Sequence, residues 1–302
     1  MKRCWIVSLV ILMAIVPEFL AAQEKVIPFF DKKGNINIQT TELDALADTL
    51  VTINHRKDDI VWSRMVYRVI DMREKQNYQM YFPMRPNDQY RSLFRLMLDA
   101  ICKGVPVYKR GARDIKPIFE DSLRLKDEEL SQVFAYDNNK EYNLIKVRPD
   151  TKQTTVVNDM YFKYVKNQLK FLIQEEYLFD KHTSRMYSKI MAIAPLYASH
   201  PDNTNSKESF RYFQESVLCW FAFDELRPTL AKQYIIPNGN DAQQLTYDDF
   251  FAQNLYSSYL LGDSNMFNRM LLEVSANPTR IRKEQQRIET ELLNFEEDLW
   301  EY

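Results

Sequence analysis

The residues able to do chemistry in this chain are few, and they are scattered. His55, His182 and His200 are its three histidines, each in a polar or turn-like segment and far from the others. A zinc site brings three or four ligands to one point, usually with a close pair such as H-E-x-x-H, and no such spacing occurs. These side chains read as exposed loop histidines. G-x-S-x-G, Walker and dinucleotide motifs are missing too, and only five glycines are available for phosphate-cradling turns. Cys219 lies in the apolar run 217–223, where a thiol acts as a small core group rather than a nucleophile. With Cys102 it is the pair an oxidising compartment would bridge, and two buried thiols are the alternative. The carboxylate pairs Asp58-Asp59 and Asp248-Asp249 each stand where a helix is expected to begin, so capping accounts for both, and they share a faint echo of duplication. Arg64, Arg68 and Arg73 would lie on that first helix, either recognising a partner's carboxylates or pairing internally with Asp71. The sequence therefore points away from an enzyme, and it implies no cofactor and no metal.

The elements that must position these residues are alternately helical and extended. Val61, Trp62, Met65, Val66, Val69 and Ile70 recur every three or four positions after Asp58-Asp59 and predict a helix; Leu93, Phe94, Met97, Leu98 and Ile101 predict a second, stopped by Gly104 and Pro106. Residues 105–108 suit a short strand. Residues 169–179 alternate as a strand with one buried face, residues 180–184 form a turn, a strand over 185–194 ends at Pro195, and 217–223 suits a central strand. Residues 199–209 are the clearest exposed loop. Thr246 and Asp249 have capping-box spacing ahead of an aromatic cluster of Phe250, Phe251, Tyr256 and Tyr259. From Asn277-Pro278 a helix runs to about Trp300, with Ile281, Ile288, Leu292, Phe295 and Leu299 as a narrow seam. The expected fold is α+β, with an antiparallel central sheet, flanking helices and a long amphipathic C-terminal helix.

The start of the chain sets an expected compartment. Lys2 and Arg3 precede an apolar run from Trp5 to Val16 and small residues at Ala21-Ala22, the pattern of a signal peptide over 1–22. Cys4 lies before the apolar run, which disfavours a lipoprotein. An extended leader over 23–57 follows, with a short helix at 42–50, then a domain over 58–270 and the terminal helix within 271–302. No segment is long and uncharged enough to span a bilayer. A net charge of −2 gives no basic face for nucleic acid, whereas 18 Tyr, 18 Phe and 4 Trp favour a packed core and aromatic contact surfaces.

Several stretches together carry a family resemblance. DDIVWSRMVYRVID at 58–71, REKQN at 73–77 and YFP at 81–83 resemble the N-terminal signature of the PorN/GldN family of the type IX secretion and gliding-motility apparatus of Bacteroidota. LFDK at 178–181 with MAIAP at 191–195 resembles its central strand pair, and ELRPTLAK at 225–232, NDAQQLTYDD at 240–249 and SSY at 257–259 resemble its C-terminal block. Ala252 departs from the pattern, which has an aromatic there. The resemblance implies a non-catalytic periplasmic subunit of a ring under the outer membrane, joined to a PorK-like lipoprotein and touching a PorM-like motor protein. Trp62, Arg64, Tyr67, Arg68, Asp71, Arg227 and Tyr259 are then the candidates for partner contact or packing. A monomeric adaptor for peptides or cell-wall fragments and a periplasmic hydrolase with a dispersed site are the rival readings.

Overall fold

Strand β1 (Ile60–Asp71) occupies the segment whose spacing predicts a helix. Its apolar residues recur every three or four positions because its second half is covered on both faces. Tyr67 and Val69 project to one side, Val66 and Ile70 to the other, and all four are buried. Two-sided burial erases the alternation by which a strand is recognised. Side-chain type favours the strand, since Ile60, Val61, Val66, Val69 and Ile70 are β-branched and lose χ1 freedom in a helix. Asp58 and Asp59 accordingly cap no α-helix; they fall in a single 3₁₀ turn, Lys57–Asp59, ahead of the strand. The echo with Asp248-Asp249 has no counterpart in the fold.

The computed structural model describes residues 55–85, 90–110, 116–134, 144–147, 154–158, 161, 165, 170–199, 214–237, 245–264 and 277–298. The signal peptide expected at 1–22, the leader as far as residue 54 and residues 200–209 of the expected loop lie outside the described residues. After β1 come α1 (Tyr78–Tyr81), α2 (Leu93–Cys102), α3 (Asp127–Val133), β2 (Ile145–Val147), β3 (Thr154–Val156), β4 (Lys170–Asp180) and β5 (Arg185–Ser199). These are followed by β6 (Gln214–Val217), β7 (Phe221–Ala222), α4 (Phe223–Leu230), α5 (Tyr247–Ala252), β8 (Tyr259–Asp263) and α6 (Pro278–Asp298). Ser92 caps α2 by accepting from the Arg95 N–H, and Gly104 ends it at φ 92°, a conformation that favours glycine. The strand expected at 105–108 is reduced to isolated bridges from Tyr108 to Arg124 and Trp220.

The main sheet is antiparallel throughout, in the order β6-β5-β4-β1-β8, with β7 beside β6 on the outer side of β5. The fold is thus α+β around an antiparallel sheet. Strand β4 is the central member, and it is not buried on one face only: Phe171, Leu172 and Ile173 are buried in succession. The strand expected over 217–223 is split, because Leu218 to Trp220 leave the sheet and Phe223 already opens α4. Pro195 does not end β5. It sits opposite Phe171 of β4, but its carbonyl accepts from the Leu218 N–H on the outer side, so its nitrogen also faces outward, between the residues paired with β7 and those paired with β6, where no ladder bond is lost.

Three apolar clusters hold the layers. The largest packs Ile70, Phe171, Ile173 and Ile193 of the sheet against α2, α4 and α5. On the opposite face Tyr67, Val69, Leu172, Ala192 and Ala194 meet Tyr108 and Trp220. The third joins Val66 and Leu260 to Ile288 and Leu292 of α6. Pairing register places Trp62, Arg64, Val66 and Arg68 on the same face as Phe179, Tyr177, Glu175 and Ile173. Helix α6 thus covers the part of that face which the main core does not reach, and its seam docks within its own chain.

Candidate functional site

A spacing of four keeps Arg64 and Arg68 on one face in a strand as it would in a helix, and both point towards α6. Arg64 is forked over Asp263 of β8, with Nε 3.1 Å from Oδ2, and reaches Glu291 of α6 at 3.3 Å. Arg68 Nε lies 3.2 Å from Glu175 Oε2 but is not aimed at it, so the contact is ionic without hydrogen-bond alignment. The Arg68 Nη1 is 3.9 Å from Glu289 of α6. Glu175 is almost fully buried and accepts from the Tyr256 hydroxyl at 2.6 Å and the Tyr177 hydroxyl at 3.3 Å. Burial, followed by the adjacent Glu175 carboxylate, pushes the Tyr256 phenol well above its usual range and keeps it a donor. Trp62 completes this face by stacking on Phe295.

Asp71, Tyr67, Tyr259 and Asn77 are also engaged internally. Asp71 accepts from Arg73 Nε at 2.9 Å, the internal pair that was one of the two sequence readings. Tyr67 is buried on the opposite face, where its hydroxyl accepts from Gln174 Nε2 at 3.0 Å. Tyr259 is half-buried across from Val69, with Lys170 Nζ 6.0 Å from its ring centroid. Asn77, singled out only as part of a motif, is fully buried and joins the end of β1 to the entry of β8: its Nδ2 donates to the carbonyls of Asp71 and Ser257, and its Oδ1 accepts from the Ser257 N–H.

The carboxylate pair Asp248-Asp249 divides its labour. Asp249 forms the capping box of α5 with Thr246, as the spacing predicts. Asp248 is not a cap partner; it is buried against Arg227 in a two-pronged pair, Nε to Oδ1 at 2.8 Å and Nη2 to Oδ2 at 2.9 Å. This pair sits in the wall of an open cleft of about 150 Å³, also lined by Ser188, Lys189, Ile190, Phe223, Phe251 and Ala252. The volume is below the roughly 300 Å³ at which small-molecule sites begin. Lys189 and Asp224 neutralise each other at its rim, 2.9 Å apart.

Among the described residues the two cysteines and the histidines lie apart. Cys219 is completely buried, which pushes its thiol far up, and burial pushes Cys102 up to about 11; both are free thiols here. His55 is not the exposed loop residue its surroundings predict. Its side chain is 9% exposed, Nδ1 donates to Asp180 Oδ2 at 2.8 Å, and its ring lies 4.5 Å from that of Tyr187. His182 is exposed and His200 lies outside the described residues. Among the described residues no group of three His, Cys, Asp or Glu side chains could hold a metal ion, and no helix is long and apolar enough to cross a membrane. The ion pairs and hydrogen bonds described above join strands and helices of the sheet to one another. By contrast Tyr78 and Phe82 stand exposed with their rings edge to face, beside Tyr81.

Sequence periodicity did not single out Glu175 or Asp263. A carboxylate at an inward position of an apolar strand is a usable signal, because a buried charge demands a partner. Residues 55–301 match the family model described as gliding motility associated protein GldN. No curated protein matches the chain.

Proposed function

Because the chain belongs to the GldN gliding-motility family, whose members serve the gliding and type IX secretion machinery, we propose that it is a non-catalytic, periplasmic ring subunit of that machine. In this reading it sits under the outer membrane, holds a PorK-like lipoprotein laterally and touches a PorM-like motor protein. It works by transmitting contact, without covalent chemistry. One observation supports the proposal: Arg64 and Arg68 of the family-like signature turn inward to their own sheet and helix, while the aromatic rings of Tyr78 and Phe82 near its end turn outward. Internal ion pairs make a rigid body, and exposed aromatic side chains are the anchors that protein interfaces favour.

The test is co-expression with a PorK-like lipoprotein and a PorM-like motor protein, followed by affinity purification and electron microscopy. A ring-sized particle that requires both this chain and the lipoprotein supports the reading. A monomer that captures neither protein replaces it with the adaptor reading.

A further inference from the structure

The two margins of the main sheet are treated differently. At one, β8 is guarded by α6: Gln285 donates to the Leu260 carbonyl, and Ile288 and Leu292 pack against Leu260. Near the other, β4 holds one side of β5 over 185–196, while on the outer side β7 pairs only with Ala192 and Ile193 and β6 only with 196–199. Among the described residues no strand pairs with that outer side over 185–190, and the extra residue Met191 forms a bulge where the stretch ends. A bare strand edge presents a row of backbone donors and acceptors, the arrangement that recruits another strand. Lysine commonly guards such edges, but the Lys189 ammonium is drawn aside to Asp224, 2.9 Å away.

Side chains supply the specificity of this edge. Ser188, Lys189 and Ile190 all line the cleft beside α4 and α5, so the cleft runs along the strand's edge. Ile190, Phe223 and Phe251 give it an apolar lining, with the exposed Ala252 beside them. Its volume of about 150 Å³ suits one hydrocarbon group, since an apolar cavity of that order holds benzene. Arg185 projects to the face opposite Ser188 and Ile190; it is exposed and has no ion-pair partner among the described residues. We propose that this edge and cleft bind an extended segment of a partner protein, which adds to β5 as a further strand, sends an apolar side chain into the cleft and pairs an acidic side chain with Arg185. Main-chain bonds give affinity in strand addition, and alternate side chains give specificity. The apolar and acidic residues of the segment serve opposite faces, so they stand an odd number of positions apart. The ring reading is not a premise here: a chain that forms no ring would still bind such a segment, and a ring can close through other surfaces.

Selection of a display library of random peptides on the immobilised full chain tests it, with the enriched peptides then added to the chain in solution. Enriched sequences should combine an acidic and an apolar residue at odd spacing, and on binding the outward amides within 185–190 should exchange about tenfold more slowly. Ala252→Trp, which fills the cleft from an exposed position, should weaken binding about tenfold, and Arg185→Glu about threefold. The exchange measurement uses the unchanged chain, so it decides the matter even where a variant melts early. No enrichment overturns the proposal, as does protection gained elsewhere with 185–190 unchanged, or binding indifferent to both substitutions in folded variants.

Discussion

The indole of Trp62 on β1 stacks on the ring of Phe295 on α6, with centroids 4.5 Å apart and planes 28° apart. Two segments separated by most of the described chain meet there, and the contact closes one end of the face that Ile288 and Leu292 bury. Phe295→Ala removes the stacked pair and its apolar area, and should lower stability by about 2 kcal/mol in urea titrations. The amides of α6 should then exchange faster than those of β4. Leu293→Ala, two residues away but 58% exposed, should change stability by less than about 0.5 kcal/mol. Equal effects of the two substitutions would mean that α6 does not dock through this seam.

Arg68 lies between two glutamates that should differ greatly in weight. Glu175 is buried, and its removal takes from Arg68 its nearest carboxylate and from the Tyr256 hydroxyl its shortest hydrogen bond, leaving that hydroxyl Asn254 Oδ1 at 3.2 Å. Glu289 is 3.9 Å from Arg68 and 43% exposed in its side chain. Glu175→Ala should cost about 3 kcal/mol, because it takes from a largely buried guanidinium the one carboxylate that is itself buried beside it. Glu289→Ala should cost about 0.5 kcal/mol or less, as exposed pairs do. Thermal melts of the two variants decide between them, and a milder loss for Glu175→Ala would show that Arg68 finds water or another partner.

Asp180 gives the hairpin a pH dependence whose sign follows from its partners. The hydrogen bond from His55, then those from the backbone of His182 and Thr183, hold its carboxyl below the usual range. A depressed folded-state value means that the ionised group stabilises the fold above the unfolded value of about 3.9, and that this contribution fades as pH falls through the folded value. Asp180→Asn should therefore melt lower than the unchanged chain at pH 7, with the gap closing below about pH 4. A gap that stays constant with pH would assign the effect to turn geometry alone.

The hairpin was legible from the polar turn at 180–184, and α2, the capping box of α5 and α6 from a helical period or an end signal. Gly104 stops α2, Thr246 and Asp249 cap α5, and Asn277-Pro278 opens α6. Strand β1 was not legible as a strand: a sheet covered on both sides leaves apolar residues at odd and even positions alike, and at 60–71 they happened to fall three or four apart. The site was legible in residue type more than in role. Arg64, Arg68 and Arg227 stand out as cations in apolar surroundings, but their partners Asp263, Glu175 and Asp248 are brought in by sheet register and by the docking of α4 on α5. Sequence spacing carries no information about those pairings.

The outward aromatic rings provide the last prediction, and it separates interface from fold. Tyr78 is 47% exposed and Phe82 43% exposed, so replacing Tyr78 with Ser leaves the buried clusters untouched. Stability should change by less than about 0.5 kcal/mol. If this surface anchors a partner, truncating a central aromatic should weaken capture by about 2 kcal/mol, which is roughly thirtyfold in affinity. Arg73→Ala gives the contrast. It breaks the pair with Asp71, a contact made within one turn of the chain, and should affect stability before it affects capture. Pull-downs with the lipoprotein and with the motor protein, run on both variants beside a thermal melt, read the two effects separately. Undiminished capture by Tyr78→Ser would move the interface to another face of the molecule, whereas loss of capture with an unchanged melt would locate it beside β1.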